Sequence, residues 1–242
     1  MKAGTLYQVL IGAAAYALGL YLFLPWLSTG FRPATALVPA LGLLLGPAGA
    51  FAAMLGNYLF DLRHEFDLGT PLGILGNFIF AYLPYRVALR LPGFSPRPRL
   101  SARWIISFLY LGLLGAAACG TVIGFGLDGM RAAAFAERGV GIAAKNFIMV
   151  AGLGWLPLLL QPWLERRGWG YQAEPFMETP RKKVGFWMMK IGLLLAFILG
   201  TLASAGVIPS LIPTQALGSV QHPAAPIMIP GMILFLMGLL LM

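Results

Sequence analysis

The chain has 242 residues, 59% of them hydrophobic and 10% charged, with 17 Lys and Arg against 8 Asp and Glu for a formal charge of +9. A soluble domain carries about 25% charged residues, so this composition, with a mean hydropathy of +0.82, excludes an ordinary soluble globular protein and implies an integral membrane protein. The apolar runs reach the roughly 20 residues that a membrane helix needs, and the alternation of membrane β-strands is absent, so the expected fold is all-α, a polytopic transmembrane helical bundle.

Taken in chain order, span 1 is expected at about 6–28; it is too long for a signal-peptide core and is followed by no small-residue cleavage motif, so it reads as retained. Span 2 at about 33–46 and span 3 at about 47–62 are short and meet at "LLLGPAG", where Pro47 opens a helix more readily than it continues one, the alternative being one broken or re-entrant element. Span 4 falls at about 70–91, span 5 at about 104–128, span 6 at about 140–164, span 7 at about 184–207 and span 8 at about 225–242, which makes about eight spans. The lone cysteine, Cys119, lies inside span 5 and reads as a packing residue; it excludes an intrachain disulfide and a CxxC metal or redox centre.

Basic residues are retained on the cytoplasmic side. Arg86, Arg90, Arg97, Arg99 and Arg103 follow span 4, and Arg166, Arg167, Arg181, Lys182 and Lys183 follow span 6, so both connections are expected inside. The segment with Asp61, Arg63, His64, Glu65 and Asp67, and the connection with His222, are expected outside, with both termini cytoplasmic. This topology and contact with anionic lipid account for the positive charge without a nucleic-acid partner. Trp163, Trp169 and Trp187 fall where a membrane-interface belt would place them.

The phrase "LGNYLF" at residues 55–60 returns as "LGNFIF" at residues 75–80. If spans 3 and 4 are antiparallel and joined outside, Asn57 lies about 6 Å below the outer end of one and Asn77 about 10 Å below the outer end of the other, at 1.5 Å per residue. An amide in hydrocarbon needs partners, and the neighbouring Gly56 and Gly76 permit close helix approach. Two readings stay open: the amides bond each other or backbone as interhelical glue, or they line a polar pocket open to the outside.

The stretch "FRPATALVPALGLLLGPAGAFAAMLGNYLFDL" followed by "LGILGNFIFAYLPYRVAL" resembles the substrate-binding S components of energy-coupling factor (ECF) transporters, in the S-component-like group of unassigned substrate. The elements that carry the resemblance are Arg32-Pro33, Gly46-Pro47, Gly56-Asn57 with Asp61, and Gly76-Asn77. It covers roughly residues 5–91 well and residues 104–165 only by helix count. The resemblance implies a six-helix core with an external small-molecule site, here expected from Asn57, Asn77, Tyr58, Asp61, Arg32 and Lys145. It also implies a face on span 1, Ala13 and Ala17 in "IGAAAYALG", that docks the transmembrane T component of a complex driven by a pair of ATPase subunits. Spans 7 and 8 depart from the six-helix pattern. The expected organisation is therefore a six-helix domain over residues 1–165, a basic cytoplasmic linker over 166–183 and a C-terminal transmembrane hairpin over 184–242.

Other residues admit plainer roles. Arg32 reads as a snorkelling interface residue or a substrate contact. Lys145, beside Asn146 in span 6, reads as a partner for a ligand carboxylate or for Asp128, since an ionisable group inside a span faces a cavity or a partner. His64 with Glu65 and Asp67 lacks a nearby second histidine, and no metal site is expected. No Ser/His/Asp set, HExxH or cysteine pair lies in the spans, so neither catalysis nor a cofactor is expected, and the absence of a Walker A motif places any ATP hydrolysis on another chain. The expected function is substrate capture for a small nutrient such as a vitamin or precursor, at the cell membrane; the alternative is a membrane sensor or scaffold without catalysis of its own.

Overall fold

A computed structural model describes residues 3–64, 66–67, 69–169, 179–208 and 223–242. Glu65 and His222 lie outside the described residues, as does the stretch 170–178 of the expected basic linker. The described residues are helical, with no strand among them: α1 Ala3–Leu22, α2 Leu37–Leu45, α3 Pro47–His64, α4 Thr70–Ala88, α5 Ala102–Gly129, α6 Phe135–Leu153, α7 Gln161–Arg166, α8 Pro180–Ser204 and α9 Ala225–Leu241. The helices α1, α5 and α8 are each long and apolar enough to cross a membrane, and α6 with the segment through α7 makes a fourth only if that bent pair is one span. Several long apolar helices thus mark a membrane-embedded protein.

The departures from eight continuous spans have local causes. Span 1 stops as an α-helix at Leu22 and tightens into a 3-10 turn over Leu24–Thr29, where Pro25 has no N–H to continue the ladder. The second span is a four-residue 3-10 turn, Pro33–Ala36, running into the nine-residue α2. Gly46 at φ 61° separates it from α3, a left-handed conformation that glycine adopts without steric cost. These are two helices, and the first is short. The expected sixth span is bent by 48° between Phe135–Leu153 and Pro157–Arg166, where Pro157 follows Gly152 and Gly154. The helices α3 and α4 have 18 and 19 residues, but they carry Asn57, Asp61, Asn77 and Arg86, which lower their hydropathy.

The chain divides into two compact units, residues 1–116 with 144–174 and residues 117–143 with 175–242, a division that cuts α5 and α6 and also falls at 174/175, within the expected 166–183 linker. In the first unit, α1 turns Val9, Ala13, Tyr16, Ala17 and Leu20 inward, a stripe at spacings of three and four that is one helical face. A Cβ on Gly56 would meet the Ala13 carbonyl at 2.8 Å and Tyr16 Cδ1 at 2.9 Å, so α1 and α3 touch almost backbone to backbone. This corrects the docking expectation: Ala13 is 1% and Ala17 8% exposed, so both small residues serve contact inside the chain, while Tyr7, Leu10, Ile11, Leu18 and Leu22 form the exposed side. Ala13→Phe is accordingly expected to lower the unfolding free energy by about 1–3 kcal/mol through overpacking, read as a fall in Tm in detergent. An unchanged Tm would return Ala13 to the surface.

In the second unit, Gly120 and Gly124 on α5 pack against Gly139 on α6, and Phe135 meets Phe197 edge to face at 5.9 Å. The helices α8 and α9 run antiparallel: Gly185 meets Leu241, Gly192 meets Phe235, and Gly200 meets Met228. The fully buried Met189, Ala196, Met228 and Phe235 fill the same seam at seven-residue steps. Pro180 with Thr179, whose hydroxyl accepts from Lys182 N at 3.3 Å, starts α8 four residues before the expected span 7.

Candidate functional site

The site is built on one face of α3. Asn57, Phe60, Asp61 and His64 stand at i, i+3, i+4 and i+7, so they share a stripe. Within it, Asn57 Nδ2 donates to Asp61 Oδ2 at 2.7 Å, and the His64 ring stacks on Phe60 at 4.5 Å between centroids with planes 12° apart. From α1, Tyr21 packs its ring 5.1 Å from Phe60 and 5.5 Å from His64. His64 is thus packed against two aromatic rings.

On α4 the second asparagine, Asn77, donates through Nδ2 to the carbonyl of Gly73 one turn back at 2.9 Å and accepts through Oδ1 from the Tyr16 hydroxyl at 3.0 Å. Gly73 also joins the two asparagine systems: a Cβ there would lie 3.4 Å from Asn57 Nδ2 and 4.0 Å from Asp61 Oδ2. The entry to α4 is held by Asp67, whose Oδ1 accepts from Gly69 N at 2.8 Å and from Thr70 N at 3.0 Å, while Thr70 Oγ1 accepts from Asp67 N at 3.1 Å. That reciprocal cap makes Asp67 a structural residue.

The two amides thus come to one region without bonding each other, and their states differ. Asn77, 8% exposed, has both ends of its amide engaged. Asn57, 1% exposed, has its carbonyl oxygen Oδ1 buried with no partner, and the Tyr21 hydroxyl is likewise buried and unpartnered. An unmet buried polar atom costs about 1–3 kcal/mol, which the fold carries at this point.

The remaining expected site residues lie around this cluster or away from it. Asp61, half-buried near the end of α3, lies in the field of Arg32, Asp67 and His64. Arg32 is exposed, makes no side-chain cap bond, and offers its carbonyl to Thr35 N at 2.9 Å and Thr35 Oγ1 at 2.8 Å. Tyr58 is 36% exposed, about 100° around the helix from Asn57, and meets Phe66 edge to face at 6.5 Å, outside the cluster. Lys145 on α6 sets its ammonium 5.7 Å from the Phe31 ring centroid and against Gly30, beside Arg32 in sequence. Asp128, the alternative partner for Lys145, accepts instead from the backbone N–H groups of Phe135, Ala224 and Ala225.

Sequence reasoning missed Tyr16, Tyr21 and Gly73. Tyr16 had a legible signal, since it lies three residues after Ala13 and one before Ala17 and so shares the small-residue face. Gly73 lies one turn before Asn77, where its carbonyl meets the amide. Tyr21 carries the same signal as Tyr16, four residues after Ala17 on that face. Comparison of the chain with protein-family models, with curated proteins and with solved structures finds no match.

Proposed function

We propose that this chain is the substrate-capture membrane subunit of an ECF-type uptake system for a small nutrient such as a vitamin or precursor. In this reading it is a multi-pass protein of the cell membrane, with both termini and the Arg97–Arg103 segment cytoplasmic, and α3 and α4 open their polar ends outward. It works with a transmembrane T component and a pair of ATPase subunits. The observation that carries the reading is the orphaned Asn57 Oδ1, buried on a helix otherwise packed with small apolar residues, next to a carboxylate that reaches the helix end. A purely structural asparagine in an apolar bundle is expected to have both ends of its amide bonded, as Asn77 does. With Ala13 and Ala17 inside, the T component meets some other surface.

Purification of the full chain from its own membranes, followed by native mass spectrometry, tests this reading. A small molecule is expected on the wild-type protein and on Tyr58→Phe and is expected to be lost from Asn57→Leu, while with ligand stripped from both proteins the Tm of Asn57→Leu is expected to stay near wild type, because removing an unmet acceptor offsets the lost bond to Asp61. Asn77→Leu is expected to cost about 1–3 kcal/mol of stability, since it removes the amide oxygen that accepts from the Tyr16 hydroxyl and the side-chain bond to the Gly73 carbonyl. A bound molecule retained in Asn57→Leu, or a Tm lowered as far as in Asn77→Leu, would make Asn57 glue and end the proposal.

A further inference from the structure

We infer that the ligand enters the Asn57 site through an N–H-donating cation, a protonated amine or amidine, held by Asn57 Oδ1 and the Asp61 carboxylate; this rests on the reading of the site as a ligand pocket. The orientation of the Asn57 amide is set by chemistry. Its nitrogen faces Asp61 Oδ2 at 2.7 Å, and turning the amide over would set oxygen against a carboxylate oxygen that accepts only. The orphaned atom is therefore the carbonyl oxygen, which calls for a donor.

The rest of the cluster leaves the same kind of capacity unmet. Asp61 has about four lone-pair sites when ionised, and Asn57 takes one of them. Asn77, unlike Asn57, already has both ends of its amide engaged, its oxygen by Tyr16 and its nitrogen by the Gly73 carbonyl. Asp61 and Arg32 form no ion pair within 4.0 Å among the described residues. The Tyr21, Phe60 and His64 rings beside these acceptors supply the π faces that attract a cation. A side chain at position 73 would grow from a Cβ lying 3.4 Å from Asn57 Nδ2 and 4.0 Å from Asp61 Oδ2, so glycine leaves that space beside both groups unfilled. A carboxylate ligand would set its charge against that of Asp61, and a quaternary ammonium would bring charge without the N–H that Asn57 Oδ1 lacks.

Three probes of similar size separate these cases: benzylammonium, benzyltrimethylammonium and benzoate, with benzyl alcohol as the uncharged control. Saturation-transfer NMR and Tm shifts on the full chain in nanodiscs are expected to show benzylammonium bound in preference to the other three. Its affinity is expected to fall about tenfold or more in Asn57→Leu and in Asp61→Asn, each of which removes a bond to a charged donor. Gly73→Leu is expected to abolish binding with every acceptor still in place, and Gly73→Ala, whose Cβ makes ordinary contacts, provides a variant that folds should the leucine disrupt α4. Benzyltrimethylammonium binding as tightly as benzylammonium, or benzoate or benzyl alcohol binding better in an Asn57-dependent way, would overturn the ligand class and leave the pocket standing. Failure of all four probes to bind the wild-type protein would overturn the pocket and the class together.

Discussion

Asp128→Ala is expected to lower the stability of the protein by about 3–5 kcal/mol, because it leaves three buried backbone donors without their acceptor and each unmet donor costs about 1–3 kcal/mol. Asp128 is fully buried at the end of α5. Its Oδ2 accepts from Phe135 N at 3.0 Å, and its Oδ1 from Ala224 N at 2.7 Å and Ala225 N at 2.8 Å. One side chain thereby caps the starts of α6 and α9 together, where the first N–H groups of a helix have no partner within it and carry its positive dipole end. Removing it leaves three backbone donors unmet in places where Phe135, Ala224 and Ala225 are themselves buried. Asp128→Asn retains one acceptor oxygen but turns an NH2 toward donors, so it should fall between alanine and wild type. Thermal unfolding in detergent measures both variants. If Asp128 were instead the counter-ion of Lys145, Lys145→Met would be as damaging as Asp128→Ala; the geometry leads us to expect Lys145→Met to be mild. Equal losses in the two variants, or no loss in Asp128→Ala, would refute the capping role.

Gly238→Leu is expected to have an effect of similar size by another mechanism. A Cβ at position 238 would collide with Met189 N and lie 2.6 Å from both Met189 Cα and Gly185 O, and Gly192 faces the backbone of Phe235 in the same way. Overpacking typically costs about 1–3 kcal/mol when side chains yield. Here the obstacle is backbone on the facing helix, so α8 and α9 must separate and lose the burial of Met189 and Phe235. Gly238→Ala should already be destabilising. Leu240→Ala, on a residue 84% exposed, serves as the control and should leave Tm unchanged. A Gly238→Leu protein as stable as that control would mean that the two helices do not pack through this seam.

How far the sequence could be read follows from the physics of each feature. The break at "LLLGPAG" was legible because glycine and proline act on their own backbone, and the structure places the break at Gly46 with α3 beginning at Pro47. The paired asparagines were legible because a polar residue in an apolar run has few places to go, and both are buried in the first unit. Their partners were not. Whether Asn57 bonds Asn77 or Asp61 depends on rotation about the helix axes, and i, i+4 geometry on α3 decided for Asp61.

The orientation of α1 was beyond the sequence for a related reason. In a membrane helix the lipid-facing side is as apolar as the packed side, so hydrophobic periodicity, which orients a helix in water, carries little information. Small residues permit close contact but do not say with what; only the tertiary structure shows Ala13 against α3 and Ala17 buried. The starts of α6 and α9 were hidden because their caps are not local: Ser204 accepts from Ala136 N at 3.0 Å, and Asp128 reaches Ala224 across 96 positions of chain. The sequence by itself determined an all-helical membrane protein, its glycine and proline breaks and the two buried asparagines. The tertiary structure decided which faces meet and which buried acceptor is left unmet, because those depend on how helices rotate and approach one another rather than on what each residue prefers alone.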